Sequence, residues 1–158
     1  MTHETEGGRL ERLERLPRLE LSAGALRLIH AARVAHLATA DAKRQPLVIP
    51  ICFAFDGKEF FSPIDEKPKR ISPHKLKRLR NIEENSQVSL VIDRWDEDWR
   101  KLAYVLVSGR ARILLSGQKH RKAVSLLRRK YRQYRSMALE ERPMIVIKPL
   151  ALKAWGNI

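Results

Sequence analysis

The chain carries a single cysteine, Cys52. No intramolecular disulfide can form, and no cysteine-based zinc site is available. Cys52 lies in the most apolar run of the sequence, where it reads as a small buried hydrophobe rather than a reactive thiol. No apolar run approaches the ~20 residues of a membrane-spanning helix. The segment Met1 to Gly8 is polar and lacks the apolar core of a signal peptide. Glycine-rich phosphate motifs are missing: neither G-x-G-x-x-G nor a Walker pattern occurs. Aromatic residues make up only 6% of the chain, and no recognition motif accompanies its basic charge, so nucleic acid is not expected as a partner. No internal repeat is visible. These absences lead to an expectation of a cytoplasmic protein that does not enter a membrane.

What is present is a chain of 158 residues, 44% hydrophobic, which is long enough to bury a core without cross-links. One domain is the prior. Residues 1–20 read as an N-terminal extension expected to be flexible, and residues 21–158 as the folded domain. The formal net charge of +14 favours anionic partners: nucleic acid, a phosphate-bearing cofactor, or a membrane surface. Charge alone does not choose among them.

Organisation centres on Val34 to Asp93. Residues Val34–Ala40 alternate apolar and polar and stop at Asp41-Ala42-Lys43-Arg44. Gln45–Phe55 is an almost unbroken apolar run, read as one strand. Asp56-Gly57 then gives a strong hairpin signal, with Lys58–Pro63 as the returning strand. Pro46 and Pro50 each remove a ladder donor, which suggests an edge, a bulge, or backbone opened towards a ligand. A basic loop follows, with Lys67, Lys69 and Arg70. Ser72-Pro73 reads as N-cap and first turn of a helix over His74–Glu84. A strand end running into basic residues and a helix start is a good place to hold phosphate.

The remaining chain alternates in the same way. Ser22 reads as the N-cap of a helix with Leu26, Ile29 and Ala32 on its apolar face, and His30 beside it as a packed histidine. Gln87–Ile92 is a strand. The acidic cluster Asp96, Glu97 and Asp98 reads as solvated turn residues rather than a metal site. Ala103–Leu115 is a long strand with a bulge expected at Gly109. Gln118–Met137 reads as one basic helix with a solvated outer face, followed by a last strand from Met144. Six strands in meander-like order with short links pair antiparallel and close most economically into a small barrel. The expected class is α+β, mainly β: a six-stranded antiparallel split β-barrel with flanking helices.

At this level the sequence resembles a known family. Ala32-Arg33-Val34-Ala35-His36-Leu37-Ala38-Thr39, Gln45-Pro46-Leu47-Val48-Ile49-Pro50-Ile51, Phe60-Phe61-Ser62 and Arg78-Leu79-Arg80-Asn81-Ile82 resemble motifs of the flavin-binding split-barrel superfamily, that of pyridoxamine 5′-phosphate oxidase. Val107-Ser108-Gly109-Arg110-Ala111 and Ala154-Trp155-Gly156 resemble its later strand and terminal motif. The Lys77–Ile82 helix and the Asp96-Glu97-Asp98-Trp99 loop look most similar to a branch of coenzyme F420-dependent enzymes. The resemblance implies a homodimer with a cofactor groove between subunits. It implies that Arg78 and Lys77 reach the cofactor phosphate, that Ser62 contacts it, and that Pro50 and Ile51 lie along the ring system. Lys69 and Arg70 are further donors, for a deazaflavin's anionic tail. No catalytic side chain and no metal ligand is implied, because the cofactor carries the chemistry. The expected function is an oxidoreductase that uses deazaflavin coenzyme F420 to pass hydride to a small organic acceptor. The alternatives are an FMN-binding split-barrel oxidoreductase, or a non-catalytic cofactor or haem-binding protein with His30, His36 and His74 as ligands to test.

Overall fold

The structure is a computed structural model of the full chain, and it describes residues 20–65 and 76–158. Ser22 caps helix α1 (Ala23–Ala31): its hydroxyl accepts from the Ala25 amide at 3.1 Å. The chain then forms β1 (Ala35–Ala40), β2 (Pro46–Ile51), β3 (Ala54–Phe55) and β4 (Phe60–Pro63). Helix α2 (Lys77–Glu84) leads to β5 (Gln87–Arg94) and β6 (Ala103–Leu114). Helix α3 (Gln118–Lys130) and two short 3₁₀ turns precede β7 (Met144–Gly156).

All pairings are antiparallel, in the order β2-β1-β5-β6-β7-β4-β3. The expected six strands are seven, because the apolar run Gln45–Phe55 divides. Its first part pairs with β1 at one end of the sheet, and its second pairs with β4 at the other. Only Cys52 and Phe53 connect them, a reach of roughly 10 Å. The sheet's two ends must therefore meet, so it curls into a half-barrel. Phe53 has no ladder partner at this crossing. The Tyr131 hydroxyl takes that role: it accepts from the Phe53 amide at 3.0 Å and lies 3.1 Å from its carbonyl.

The core fills the barrel. Leu37, Leu90, Val107, Phe53, Phe60 and Ile147 are buried inside it, with Leu28 and Ile29 of α1 closing one end. Phe55 and Phe60 stack with centroids 4.3 Å apart. A second cluster lies outside the barrel, where Phe61, Met144 and Val146 pack under Ala123, Val124 and Leu127 of α3. The bulge at Gly109 is present: the β6–β7 register shifts between Ser108 and Gly109, with Pro149 opposite Gly109. A proline with no donor fits where the ladder is already interrupted. A Cβ on Gly109 would stand 2.4 Å from the Lys148 carbonyl oxygen, so only glycine allows this approach.

Four expectations need correction. Helix α2 begins at Lys77 rather than His74, and Leu76 takes the N-cap position without a side-chain hydrogen bond; Ser72 and Pro73 lie outside the described residues. The basic helix ends at Lys130, because Tyr131 turns to extended backbone to reach Phe53. Arg128 is no solvated charge: it donates to the Tyr134 and Met137 carbonyls and pairs with Glu140. His30 is exposed rather than packed, with its ring centroid 6.2 Å from that of Phe55. In the acidic turn, Asp98 caps a 3₁₀ turn and pairs with Arg100.

Candidate functional site

Strand β2 carries its prolines on the sheet's outer edge, where a missing amide donor costs no ladder bond. Its last residues turn inward at the crossing. Strand β4 brings the buried Ser62 and Pro63 to the same cavity. The first turn of α2 adds Arg78. A cavity of about 220 Å³ lies between these three elements, lined by Pro50, Ile51 and Cys52, by Ser62, by Arg78, and by Asp65 and Tyr134.

Arg78 lines this cavity. Its Nε is buried and has no hydrogen-bond partner among the described residues. Burial holds its guanidinium below arginine's ordinary value, and the nearby Asp65 works in the opposite direction. Arginine nonetheless stays charged, so a half-buried cation with an idle donor faces an enclosed space. An unsatisfied buried donor costs about 1–3 kcal/mol. An anion with several acceptor oxygens removes that cost, and the guanidinium's planar fork suits phosphate. The amino end of α2 adds partial positive charge, since Leu76 supplies no side-chain cap. The residues present therefore fit a phosphate-bearing group.

The structure thus brings together Pro50, Ile51, Ser62 and Arg78. Lys77 is placed elsewhere: its Nζ is 2.9 Å from Asp41 Oδ2, and Asp41 Oδ1 accepts from the Gln45 amide. That arrangement fastens α2 to the β1–β2 turn and keeps the Asp41 carboxyl below its usual range, through Gln45 first and Lys77 second. Lys69 and Arg70 lie outside the described residues. Sequence reasoning missed Cys52, Pro63, Asp65 and Tyr134 as cavity residues. Cys52 is half-buried in the wall rather than sealed in the core. Tyr134 is buried, and burial pushes its phenol well above the usual range. Asp65 has only its place just after β4 to mark it.

Behind this wall lies a second polar group. The Lys130 ammonium sits 3.7 Å from the Phe53 ring centroid, and burial, then Arg33, pulls its pKa down to about 8. Burial pushes Tyr131 up to about 12.

The curled antiparallel sheet, closed by its β2–β3 crossing, defines a split-barrel protein. The chain belongs to the pyridoxamine 5′-phosphate oxidase family, whose model matches residues 21–156. Solved structures with the same fold include a conserved hypothetical protein from Mycobacterium tuberculosis, 16% identical, with a TM-score of 0.69 over 89% of this chain and 88% of that one. A haem storage protein from Vibrio cholerae is 15% identical, with a TM-score of 0.66 over 87% and 95%. An F420 reductase is 21% identical, with a TM-score of 0.60 over 84% and 98%. No curated protein matches the sequence.

Proposed function

We propose that this chain is an oxidoreductase of the split-barrel type that holds a phosphorylated flavin-like cofactor, deazaflavin F420 ahead of FMN, and passes hydride to a small organic acceptor. The idle, buried Arg78 Nε in a cavity shared with Ser62 carries this reading. Bound there, the cofactor supplies the hydride chemistry through its ring. Arg78 anchors the phosphate, Ser62 supplies a further polar contact, and Pro50 and Ile51 present backbone to the ring. The F420 reductase among the structural neighbours supports the order of the two cofactors. Among the described residues no histidine lines the cavity, and His74 lies outside them.

A homodimer is part of the proposal. The outer face of the sheet carries three short apolar pairings in neighbouring rows, Val48 with Ala38, Val91 with Leu106 and Tyr104 with Trp155, interleaved with His36, Ser89 and Lys153. Val48 is 62% exposed and Trp155 51%. Exposed apolar side chains gathered on one mixed face mark an interaction surface. It adjoins the β2 edge, so a second copy would complete the groove where the ring lies.

The test is titration of purified protein with F420 and with FMN, followed by absorbance and calorimetry. A charge-assisted hydrogen bond contributes about 1.5–3 kcal/mol. Arg78→Ala should therefore weaken the preferred cofactor by roughly ten- to a hundredfold. Failure of both cofactors to bind wild-type protein, or a Soret band on adding haem, would overturn the reading.

A further inference from the structure

The Asp56-Gly57 turn, the start of α3, the end of β6 and the middle of β7 border a larger groove of about 970 Å³. It shares no lining residue with the Arg78 cavity. Five cations line it: Lys58, Arg112, Lys119, Lys122 and Lys148. Its carboxylates are Asp56 and Glu59, and both are already engaged. Glu59 accepts from Arg112 at 2.9 Å and from Lys119, and Asp56 accepts from Lys122 at 2.9 Å. Burial raises both carboxyls, but the Glu59 amide and then Lys122 at Asp56, and Lys119 and Arg112 at Glu59, outweigh it and hold both below their usual range. Five positive charges against two negative leave an excess of three.

Folding gives no reason for that excess. Lys148 stands directly opposite Arg110 across the β6–β7 ladder, and like charges in that position are destabilising. Neither Lys58 nor Lys148 has a carboxylate partner among the described residues. The groove also has an apolar floor, formed by Phe55, Pro149 and Leu152. Cations alone would suit any polyanion. Cations around an apolar floor suit an anion with an apolar body, as in small-molecule sites generally.

We propose that this groove is a second ligand site, which takes an organic anion with an aromatic body and at least two negative charges, the chemistry of a nucleoside polyphosphate. Lys58 and Lys148 hold the charges, and Phe55, Pro149 and Leu152 receive the body. The bridged pairs at Glu59 and Asp56 keep the rim in place.

Calorimetric titration of the full-length protein with ATP, inorganic tripolyphosphate and adenosine at ~0.1 M salt tests this. Saturable ATP binding is expected, with tripolyphosphate and adenosine each weaker by about tenfold or more. Lys58→Glu and Lys148→Glu should each weaken ATP by about tenfold or more. Neither side chain has an ion-pair partner among the described residues, and circular dichroism should show both variants folded. Arg121→Glu and Arg129→Glu, on the exposed side of α3 outside the groove, should change ATP affinity by no more than about twofold. Arg78→Ala should leave ATP binding intact. Absence of saturable ATP binding would overturn the proposal. So would equal losses from the α3 variants, which would mean general charge attraction, or equal affinity for tripolyphosphate, which would mean that the floor contributes nothing. Loss of ATP binding in Arg78→Ala would place the ligand in the cofactor cavity instead.

Discussion

Three neighbouring cations on α2 have different fates, and their environments decide which of them can bind a ligand. Lys77 is spent on Asp41, Arg78 faces the cavity, and Arg80 is exposed. Positions 78 and 80 differ by about 200° around a helix. Arg80→Ala should therefore leave cofactor affinity unchanged, while Arg78→Lys should recover part of the loss seen in Arg78→Ala, keeping charge but not the fork. Calorimetry on the three variants checks this, and an impaired Arg80→Ala beside a normal Arg78→Ala would refute the site. Lys130 makes a separate prediction about pH. Its pKa is about 8 when folded, against an ordinary 10.5. Below about pH 8 both folded and unfolded chains carry the charge, so the cost of burying it is fully present. Between about pH 8 and 10.5 the unfolded chain binds more protons, so stability rises with pH from this residue. Thermal melts between about pH 7 and pH 10 should show that rise in wild type relative to Lys130→Met. Parallel pH profiles for the two proteins would remove the assignment.

Two elements depend on single atoms at breaks in their ladders. The β2–β3 crossing has no strand partner, and the Tyr131 hydroxyl supplies one, while also donating to the Arg33 carbonyl at 2.8 Å. Tyr131→Phe keeps the ring but orphans a buried amide, at a cost of about 1–3 kcal/mol. Denaturant unfolding should show that loss. The cavity wall hangs from the same crossing, so cofactor affinity should fall with it. At the β6–β7 bulge, Gly109→Ala would drive a methyl group against the Lys148 carbonyl. Overpacking of this kind costs about 1–3 kcal/mol. A midpoint shift of that size is expected, and an unchanged midpoint would mean that the strands separate freely there.

For the whole molecule, the outer sheet face is the open question that an experiment settles directly. Scattering should report twice the 18.3 kDa chain mass. Val48→Lys places a charge at the exposed apolar edge strand of that face and should shift the protein towards monomer, with cofactor affinity falling in step. A wild-type monomer at micromolar concentration would remove the two-chain groove. The described residues include no helix long and apolar enough to cross a membrane.

Local patterns in the chain determined much of this protein. Alternation and turn residues specify the β1, β5 and β6 strands, Ser22 marks the start of α1, Gly109 marks the bulge, and the short links make the sheet antiparallel. Those signals are local, because side-chain period, capping and turn chemistry act over a few residues. Arg78, Ser62, Pro50 and Ile51 were also legible, through the order of their motifs. Only the tertiary structure decided the rest. An unbroken apolar run such as Gln45–Phe55 contains no sign that its halves belong to opposite ends of a sheet. That division comes from barrel closure, and Tyr131, 78 residues further on, makes it possible. The same holds for charge: Lys77, Arg78 and Arg128 look alike in sequence. Which is paired, which is idle, and which holds a loop depends on Asp41, Asp65 and Glu140 arriving beside them through folding.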